Sequence, residues 1–262
     1  MSPLKDTQNE SDDRRIAIDR VGVKDVRFPL RIRDRDQLTQ HTVATVNMAV
    51  DLPHQYKGTH MSRFVEILHA HGRELTVASI AAIPTELLTR LHAQKAHVEL
   101  RFPYFRTKKA PVTQAEGLLD YGVVFEVNAE ADSIDFVVTV EVPVTTLCPC
   151  SKAISERGAH NQRGLVTFSV RFRQPIWIED LIELIESSAS SELYSVLKRP
   201  DEKAVTERAY DNPVFVEDLV RNIAVKAGKH PQIKWFRVEA VNYESIHNHN
   251  AWAIVERDLS QS

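Results

Sequence analysis

The segment Cys148-Pro149-Cys150 contains both cysteines of this 262-residue chain. At this spacing the two thiols close no useful loop, so we expect no structural disulfide. Pro149 fixes its own φ and restricts Cys148 to an extended backbone, which separates the two sulfurs. One thiol can therefore bind a metal while the other acts as a nucleophile.

His160 lies twelve residues after Cys148, close enough in sequence to return to the same loop. A thiolate and an imidazole are common ligands of zinc and of related metals. Two other interpretations stay open: the cysteines are small buried residues, or His160 is an ordinary surface or packed histidine. A zinc ribbon is disfavoured, because it needs four thiol or imidazole ligands and the chain has no second cysteine pair.

A second pair of histidines occurs near the C-terminus, in the sequence ESIHNHN at 244–250. His247 and His249 would share one face of an extended chain, so both could line a pocket. A solvated hairpin turn without a functional role is the alternative. Glu217 lies at the start of a predicted helix, where a carboxylate favours the helix dipole, and Glu202 carries no signal of its own.

Strand-like segments occur in both halves of the chain, at 21–32, 42–52, 96–105, 121–128, 134–142, 165–172, 234–242 and 251–256. Helices are predicted after an N-cap at Ser62, from about Pro84, and at 178–187, 192–198 and 216–227. The basic run at 106–109 is expected to be a solvated loop. Strand-strand, helix-helix, strand-strand thus occurs twice, which predicts an α+β fold with mostly antiparallel sheets.

The division of the chain follows from the same element order. Residues 1–15 lack apolar periodicity and are predicted to be a disordered N-terminal lead. Two modules follow, at 16–130 and 131–262. An antiparallel sheet with helices on one face leaves its other face and its edges to be covered, which favours an oligomer with sites at subunit boundaries.

Composition and charge disfavour several kinds of partner. The formal net charge is -3 and no long basic block is present, so we expect no nucleic-acid partner. No window approaches the roughly 20 apolar residues of a membrane span, and the N-terminus is polar, which predicts a cytoplasmic protein without a membrane partner. Walker and Rossmann glycine motifs are absent, so a bound nucleotide would be held by another device.

Four segments, in this order, resemble the type IB GTP cyclohydrolase I family: KGTHMSR at 57–63, LCPCSK at 147–152, GAHNQR at 158–163 and NYESIHNH at 242–249. The resemblance extends from about residue 15 to the end of the chain. It implies a tunnelling fold (T-fold) of two tandem modules, each an antiparallel sheet with helices on one face, that assembles into a barrel-forming homotetramer. It also implies hydrolysis of GTP to 7,8-dihydroneopterin triphosphate and formate, which is the first step towards folate and the deazaguanine nucleosides of tRNA, such as queuosine.

The family pattern implies a metal site at Cys148, His160 and Glu202, with water completing the coordination. This ligand set accepts Mn(II), Zn(II) or Fe(II), and no organic cofactor is implied. A metal-activated water would attack C8 of the guanine ring, and a second hydrolysis would release formate.

The same resemblance assigns roles to the remaining candidates. Cys150 would be required for catalysis, and His247 and His249 would serve the acid-base steps of ribose opening and rearrangement.

Substrate contacts are implied at three positions. Glu217 would bind the guanine edge, because a carboxylate can accept two N–H donors from N1 and the exocyclic amine. His60 and Arg63 would contact the triphosphate.

Two competing hypotheses remain. One is a deazaguanine nitrile reductase of the same fold superfamily, which uses a cysteine and NADPH and needs no metal. The other is a non-catalytic assembly protein with structural zinc, which would unfold when the metal is removed.

Overall fold

The structure, a computed structural model, describes residues 7–35, 39–71 and 77–260. The chain forms two compact units that interleave in sequence. The first comprises the described residues of 1–102 and 124–137, and the second those of 103–123 and 138–262. The candidate chemistry of Cys148 and His160 therefore belongs to the second unit.

The first unit contains β1 (Ile18–Ile32), β2 (Gln40–Leu52), α1 (Met61–His71), α2 (Val77–Ile80) and α3 (Ala82–Leu91). β2 pairs antiparallel with β1 and with the first part of β3 (Lys95–Lys109). Alternate residues of β2 from Ala44 to Leu52 are buried, as expected for a strand with one face on the core. On α1, Phe64, Ile67 and Leu68 are buried at helical spacing.

The second unit contains parts of three long strands, β3, β4 (Glu116–Glu130) and β5 (Ser133–Leu147). Its other elements are α4 (Pro149–Ile154), β6 (Asn161–Phe172), α5 (Ile178–Glu186), β7 (Ser191–Glu192), α6 (Arg199–Asp211), α7 (Val216–Lys229), β8 (Ile233–Asn242) and β9 (Ala251–Asp258). The strand order here is β3-β4-β5-β6-β8-β9, with the short β7 paired to β5. The pairs β5–β6, β6–β8 and β8–β9 are antiparallel.

The core of the second unit lies between its sheet and α7. Alternate residues of β6 are buried, among them Val166, Phe168 and Val170. α7 contacts β8 and β9 and buries its apolar stripe, which includes Leu219 and Ile223. This packing holds the ends of β5, β6 and β8, where the candidate site residues lie, in a fixed arrangement.

The structure confirms the α+β prediction and the repeated order of strands and helices. The helix predicted at 192–198 is wrong, because β7 pairs with β5 and the helix begins at Arg199. Pro200 lies in the first turn, the only part of a helix that accepts a residue without an N–H. Ser62 is likewise not an N-cap, because α1 already begins at Met61.

The basic run at 106–109 is not a solvated loop. It lies in β3, and the Lys108 side chain is only 9% exposed, in contact with Glu186 and Glu192. The prediction failed because the buried carboxylate of Glu186 and the half-buried carboxylate of Glu192 compensate the buried ammonium, and both come from distant parts of the sequence.

The first six residues of the predicted lead lie outside the described residues. From Thr7 onward the lead differs from the expectation of disorder. The main-chain N–H groups of Lys57 and Gly58 donate to the carbonyls of Glu10 and Gln8, at 3.0 and 3.1 Å. Modules defined by element order and units defined by compactness are different descriptions, so the boundaries 16–130 and 131–262 stay a prediction.

Among the helices that the structure describes, none combines the length and the apolar character needed to cross a lipid bilayer.

Candidate active site

The loop between β5 and β6 brings Cys148 and His160 together. The N–H of Cys148 donates to the carbonyl oxygen of His160 at 3.1 Å, immediately beyond the last paired residues of the two strands. Ser151 closes the loop further, because its Oγ accepts from the N–H of His160 at 3.2 Å. The predicted return of His160 to Cys148 is therefore confirmed.

The two thiols occupy different environments, as the intervening proline predicted. Cys148 has an extended backbone and is the N-cap of α4, where its Sγ accepts from the N–H of Ser151 at 3.4 Å. Cys148 is half-buried, whereas Cys150 is exposed on the first turn of α4. One sulfur is thus fixed by the loop, and the other is accessible.

A buried polar chain supports the imidazole of His160. Nδ1 of His160 lies 2.9 Å from Oε1 of Gln162. The amide Nε2 of Gln162 donates to Oγ1 of Thr146 at 2.8 Å. Gln162 is 7% exposed and Thr146 is fully buried.

The loop between α6 and α7 brings Glu217 to the end of β5, next to the loop that contains Cys148 and His160. The N–H of Val214 donates to the carbonyl of Leu147 at 3.0 Å, which ties this loop to the end of β5. Two residues later α7 begins, with Glu217 exposed in its first turn and Phe215 exposed just before it.

The connection between β8 and β9 supplies the histidine pair. The rings of His247 and His249 are stacked, with centroids 4.9 Å apart and planes 17° from parallel. The hairpin prediction is confirmed, because β8 and β9 pair antiparallel on either side of this loop. Glu244, in the same loop, has a carboxylate oxygen 3.9 Å from Nδ1 of His160.

These three segments enclose one pocket of about 400 Å³. It is lined by six of the nine candidate residues, namely Cys148, Cys150, His160, Glu217, His247 and His249. All six belong to the second unit. A pocket of this size is within the range of small-molecule sites.

The remaining candidates do not line this pocket. Glu202 is exposed in the first turn of α6, next to the buried Asp201. His60 and Arg63 belong to the first unit, where a guanidinium nitrogen of Arg63 donates to the main-chain oxygen of Arg90 at 3.1 Å. Their assignments to metal and triphosphate stay predictions.

The donor chemistry of the pocket fits a divalent metal at two of the three predicted ligands. Cys148 offers a sulfur and His160 an imidazole whose Nδ1 already has a partner, so Nε2 is the nitrogen that would bind. Within the described part of the chain, no cluster of three or more His, Cys, Asp or Glu is arranged to hold an ion. Among those residues, a third ligand is thus not in place beside Cys148 and His160.

Four further lining residues were not identified as functional from the sequence: Gln162, Phe215, Asn242 and Glu244. Asn242 is 1% exposed, and its Oδ1 accepts no hydrogen bond from the residues that the structure describes. Gly164 makes room for it, because a Cβ at this position would lie 2.7 Å from that oxygen. Strand register could have indicated Gln162, which is two residues from His160.

Comparisons with known proteins identify the family of the chain. A family model described as type I GTP cyclohydrolase folE2 matches residues 4–253. The GTP cyclohydrolase FolE2 of Akkermansia muciniphila is 65% identical over 262 residues, covering 99% of both chains. That of Nitrosococcus oceani is 54% identical, covering 98% of this chain and 96% of the relative.

Solved structures of similar fold are far more distant in sequence. The uricase of Arthrobacter globiformis has a TM-score of 0.54 at 8% identity and covers 93% of this chain and 94% of its own. A urate oxidase of Bacillus sp. TB-90 has a TM-score of 0.55 at 9% identity, covering 93% and 99%. Those likenesses concern the fold alone, whereas the family match and the close relatives cover nearly the whole chain: it belongs to the type I GTP cyclohydrolase FolE2 family.

Proposed function

We propose that this chain hydrolyses GTP to 7,8-dihydroneopterin triphosphate and formate in the folate pathway. The observation that carries the proposal is the single pocket lined by Cys148, Cys150, His160, Glu217 and the two histidines of the β8–β9 loop. Membership of the family and the names of the close relatives support it. The product also suits the synthesis of deazaguanine nucleosides, which we include in the proposal.

Glu217 is the residue we assign to the guanine base. Its carboxylate is exposed in the pocket and can accept from N1–H and from the exocyclic amine of guanine, which gives a bidentate contact. Asn242 adds a buried acceptor among the lining residues.

Cys148 and His160 would hold a divalent metal, with Glu202 as the third ligand that the family pattern implies. When bound, such a metal lowers the pKa of a coordinated water, which then supplies the nucleophile for C8 of guanine. Mn(II), Zn(II) and Fe(II) all suit these donors, and no organic cofactor is needed.

The remaining lining groups serve proton transfer. Overall, two waters add, first to open the ring as a formamide and then to release formate, and one water leaves when the new ring closes. Each of these steps moves protons, and the stacked imidazoles of His247 and His249 and the accessible thiol of Cys150 lie at the pocket to carry them.

We further propose that the chain is a cytoplasmic homotetramer whose sites lie at subunit boundaries. In a single chain Glu202 does not line the pocket. Packing against a neighbouring subunit can reshape the ends of α6 and complete the site. His60 and Arg63 would then provide the triphosphate contacts.

The experiment that tests the proposal measures formate and dihydroneopterin triphosphate released from GTP by chelator-treated protein. Mn(II), Zn(II) or Fe(II) is added back separately. We expect both products, in equal amounts, only in the presence of metal. A folded protein that releases neither product with any of the three metals would refute the proposal.

A further inference from the structure

We propose that Gln162 is a positioning residue, which holds the imidazole of His160 with its proton on Nδ1 so that Nε2 can bind a divalent cation. This inference rests on the proposed function, because it concerns the metal ligand His160. Gln162 touches neither the pocket's thiols nor its carboxylates by hydrogen bonds; its two side-chain partners are His160 and Thr146.

The amide oxygen of Gln162 faces Nδ1 of the imidazole, which is the arrangement that suits a metal on Nε2. Oε1 of Gln162 lies 2.9 Å from Nδ1 of His160, and an amide oxygen can only accept a hydrogen bond. With the amide in this orientation, Nδ1 carries the ring proton. A neutral imidazole has a single N–H, so the lone pair of Nε2 remains available, and divalent metals bind that form.

The amide of Gln162 is also hydrogen-bonded at its other end. Its Nε2 donates to Oγ1 of Thr146 at 2.8 Å, and Thr146 is fully buried. The two residues face each other as a cross-strand pair in the antiparallel register of β5 and β6. Half a turn of the amide would place its NH₂ against Nδ1 and its oxygen against the Thr146 hydroxyl, an arrangement that requires the ring proton on Nε2 and so leaves no lone pair there for a metal.

Glu244 is the other acceptor near this nitrogen. Its carboxylate lies 3.9 Å from Nδ1, beyond hydrogen-bond distance, and it sits on the β8–β9 loop instead of the paired strands. At this distance it does not orient the ring. Gln162 is therefore the residue that orients the imidazole ring of His160.

The test compares metal affinity in three variants, without GTP. Gln162→Met keeps the shape of the side chain but removes both hydrogen bonds, whereas Gln162→Glu keeps an oxygen that accepts from Nδ1–H. We expect Gln162→Met to weaken Co(II) and Mn(II) binding about 10- to 100-fold, measured by chelator competition. Gln162→Glu should bind within a few-fold of the unmodified chain, and Gln232→Met, remote from the pocket, should be unchanged.

The Co(II) absorption spectrum provides a second readout. In Gln162→Met we expect the ligand-field bands to shift, because the imidazole is no longer held, while the thiolate-to-metal band from Cys148 persists. A purely structural role predicts the reverse order of variants: the apolar Met would be tolerated in a buried site, and a buried Glu would be the damaging change.

Three results would overturn the inference: equal metal affinity in Gln162→Met and the unmodified chain, greater loss in the Glu variant than in the Met variant, or no metal bound by the unmodified chain. The proposed function fails in a different way. A chain that binds Co(II) through Cys148 and His160 yet releases no formate from GTP would refute the cyclohydrolase and leave the metal-affinity comparison intact.

Discussion

At the scale of single residues, the site separates two thiols that are two positions apart in sequence. Cys148 is held at the N-cap of α4 by the N–H of Ser151, and Cys150 is exposed in the first turn of the same helix. Because the backbone fixes one sulfur and leaves the other accessible, the two cysteines should be separable by mutation.

Cys148→Ser and Cys150→Ser test this separation. We expect Cys148→Ser to lose most of its bound metal, because serine is a poor ligand for these ions, and to lose turnover as a consequence. Cys150→Ser should retain metal and lose turnover by about 10²- to 10⁴-fold, as expected for a proton-transfer group. Metal content after gel filtration and formate release are measured on the same samples; loss of metal from both variants alike would contradict the assignment.

Glu217→Gln tests the guanine contact. An amide offers one acceptor and places an NH₂ against the N–H donors of the base, so we expect kcat/KM for GTP to fall by about 10²-fold or more. ITP lacks the exocyclic amine and should lose less. Glu207→Gln, at an exposed position on α6, is the matched control and should leave kcat/KM unchanged. Equal losses for GTP and ITP would exclude recognition of the amine by Glu217.

At the scale of elements, the buried Asp201 attaches the start of α6 to the rest of the second unit. Asp201 is fully buried and accepts from the N–H groups of Val112, Thr113 and Lys198 at 2.8, 2.8 and 2.9 Å. It thereby joins the β3–β4 turn to the helix that carries Glu202. A sequence cannot indicate which of two adjacent acidic residues faces inward when the helix start itself is misplaced by seven residues.

Asp201→Asn tests the contribution of these hydrogen bonds through the pH dependence of stability. Burial alone would raise the pKa of the Asp201 carboxyl, but hydrogen bonds from Thr113, Lys198 and Val112 outweigh it and hold the pKa below its ordinary range. A carboxylate with a lowered folded-state pKa stabilises the fold above its unfolded pKa, near 3.8, and this stabilisation is lost as pH falls towards the folded value. In Asp201→Asn the melting temperature should be several degrees lower at pH 7, with a smaller further fall between pH 5 and 3. An unchanged pH profile would contradict it.

Lys108 connects β3 to the end of α5, through Glu186, and to β7, through Glu192. Its ammonium contacts the carboxylates of Glu186 and Glu192 and lies 4.8 Å above the Tyr194 ring. Burial raises the pKa of Glu186. At Glu192, burial is outweighed by hydrogen bonds from Lys108 and Tyr194, which lower the pKa.

Lys108→Met should therefore be strongly destabilising. Removing the shared cation leaves two carboxylates close together in a buried site, which costs about 3–5 kcal/mol of the free energy of unfolding. The neighbouring Lys109 is 61% exposed and pairs loosely with Glu116 at 3.5 Å, so Lys109→Met should cost under about 1 kcal/mol. Urea denaturation of both variants measures the difference, and equal midpoints would show that the buried pair contributes nothing.

At the scale of the whole molecule, local patterns predicted more than long-range ones. Strand alternation, the β8–β9 hairpin and the approach of His160 to Cys148 all follow from neighbours along the chain. The positions of Gln162, Lys108 and Asp201 depend on partners 16 to 89 residues away. Strand register could have indicated Gln162, but nothing in the sequence marks the pairings of Lys108 and Asp201. These supporting residues were therefore missed, whereas six of the nine predicted residues line the pocket.

The edge strand of the second unit is where the proposed assembly can be tested. β9 pairs only with β8 among the strands that the structure describes, and it exposes Trp252 and Ile254 on alternate positions. An edge strand with exposed apolar residues is a template for pairing with another chain. Light scattering of the unmodified protein should give about four times the 29.8 kDa of one chain.

Ile254→Lys should shift the protein from tetramers to dimers or monomers and reduce turnover in parallel, because a site at a subunit boundary is lost when the subunits separate. Full activity in a species of one chain would refute both the tetramer and the shared site.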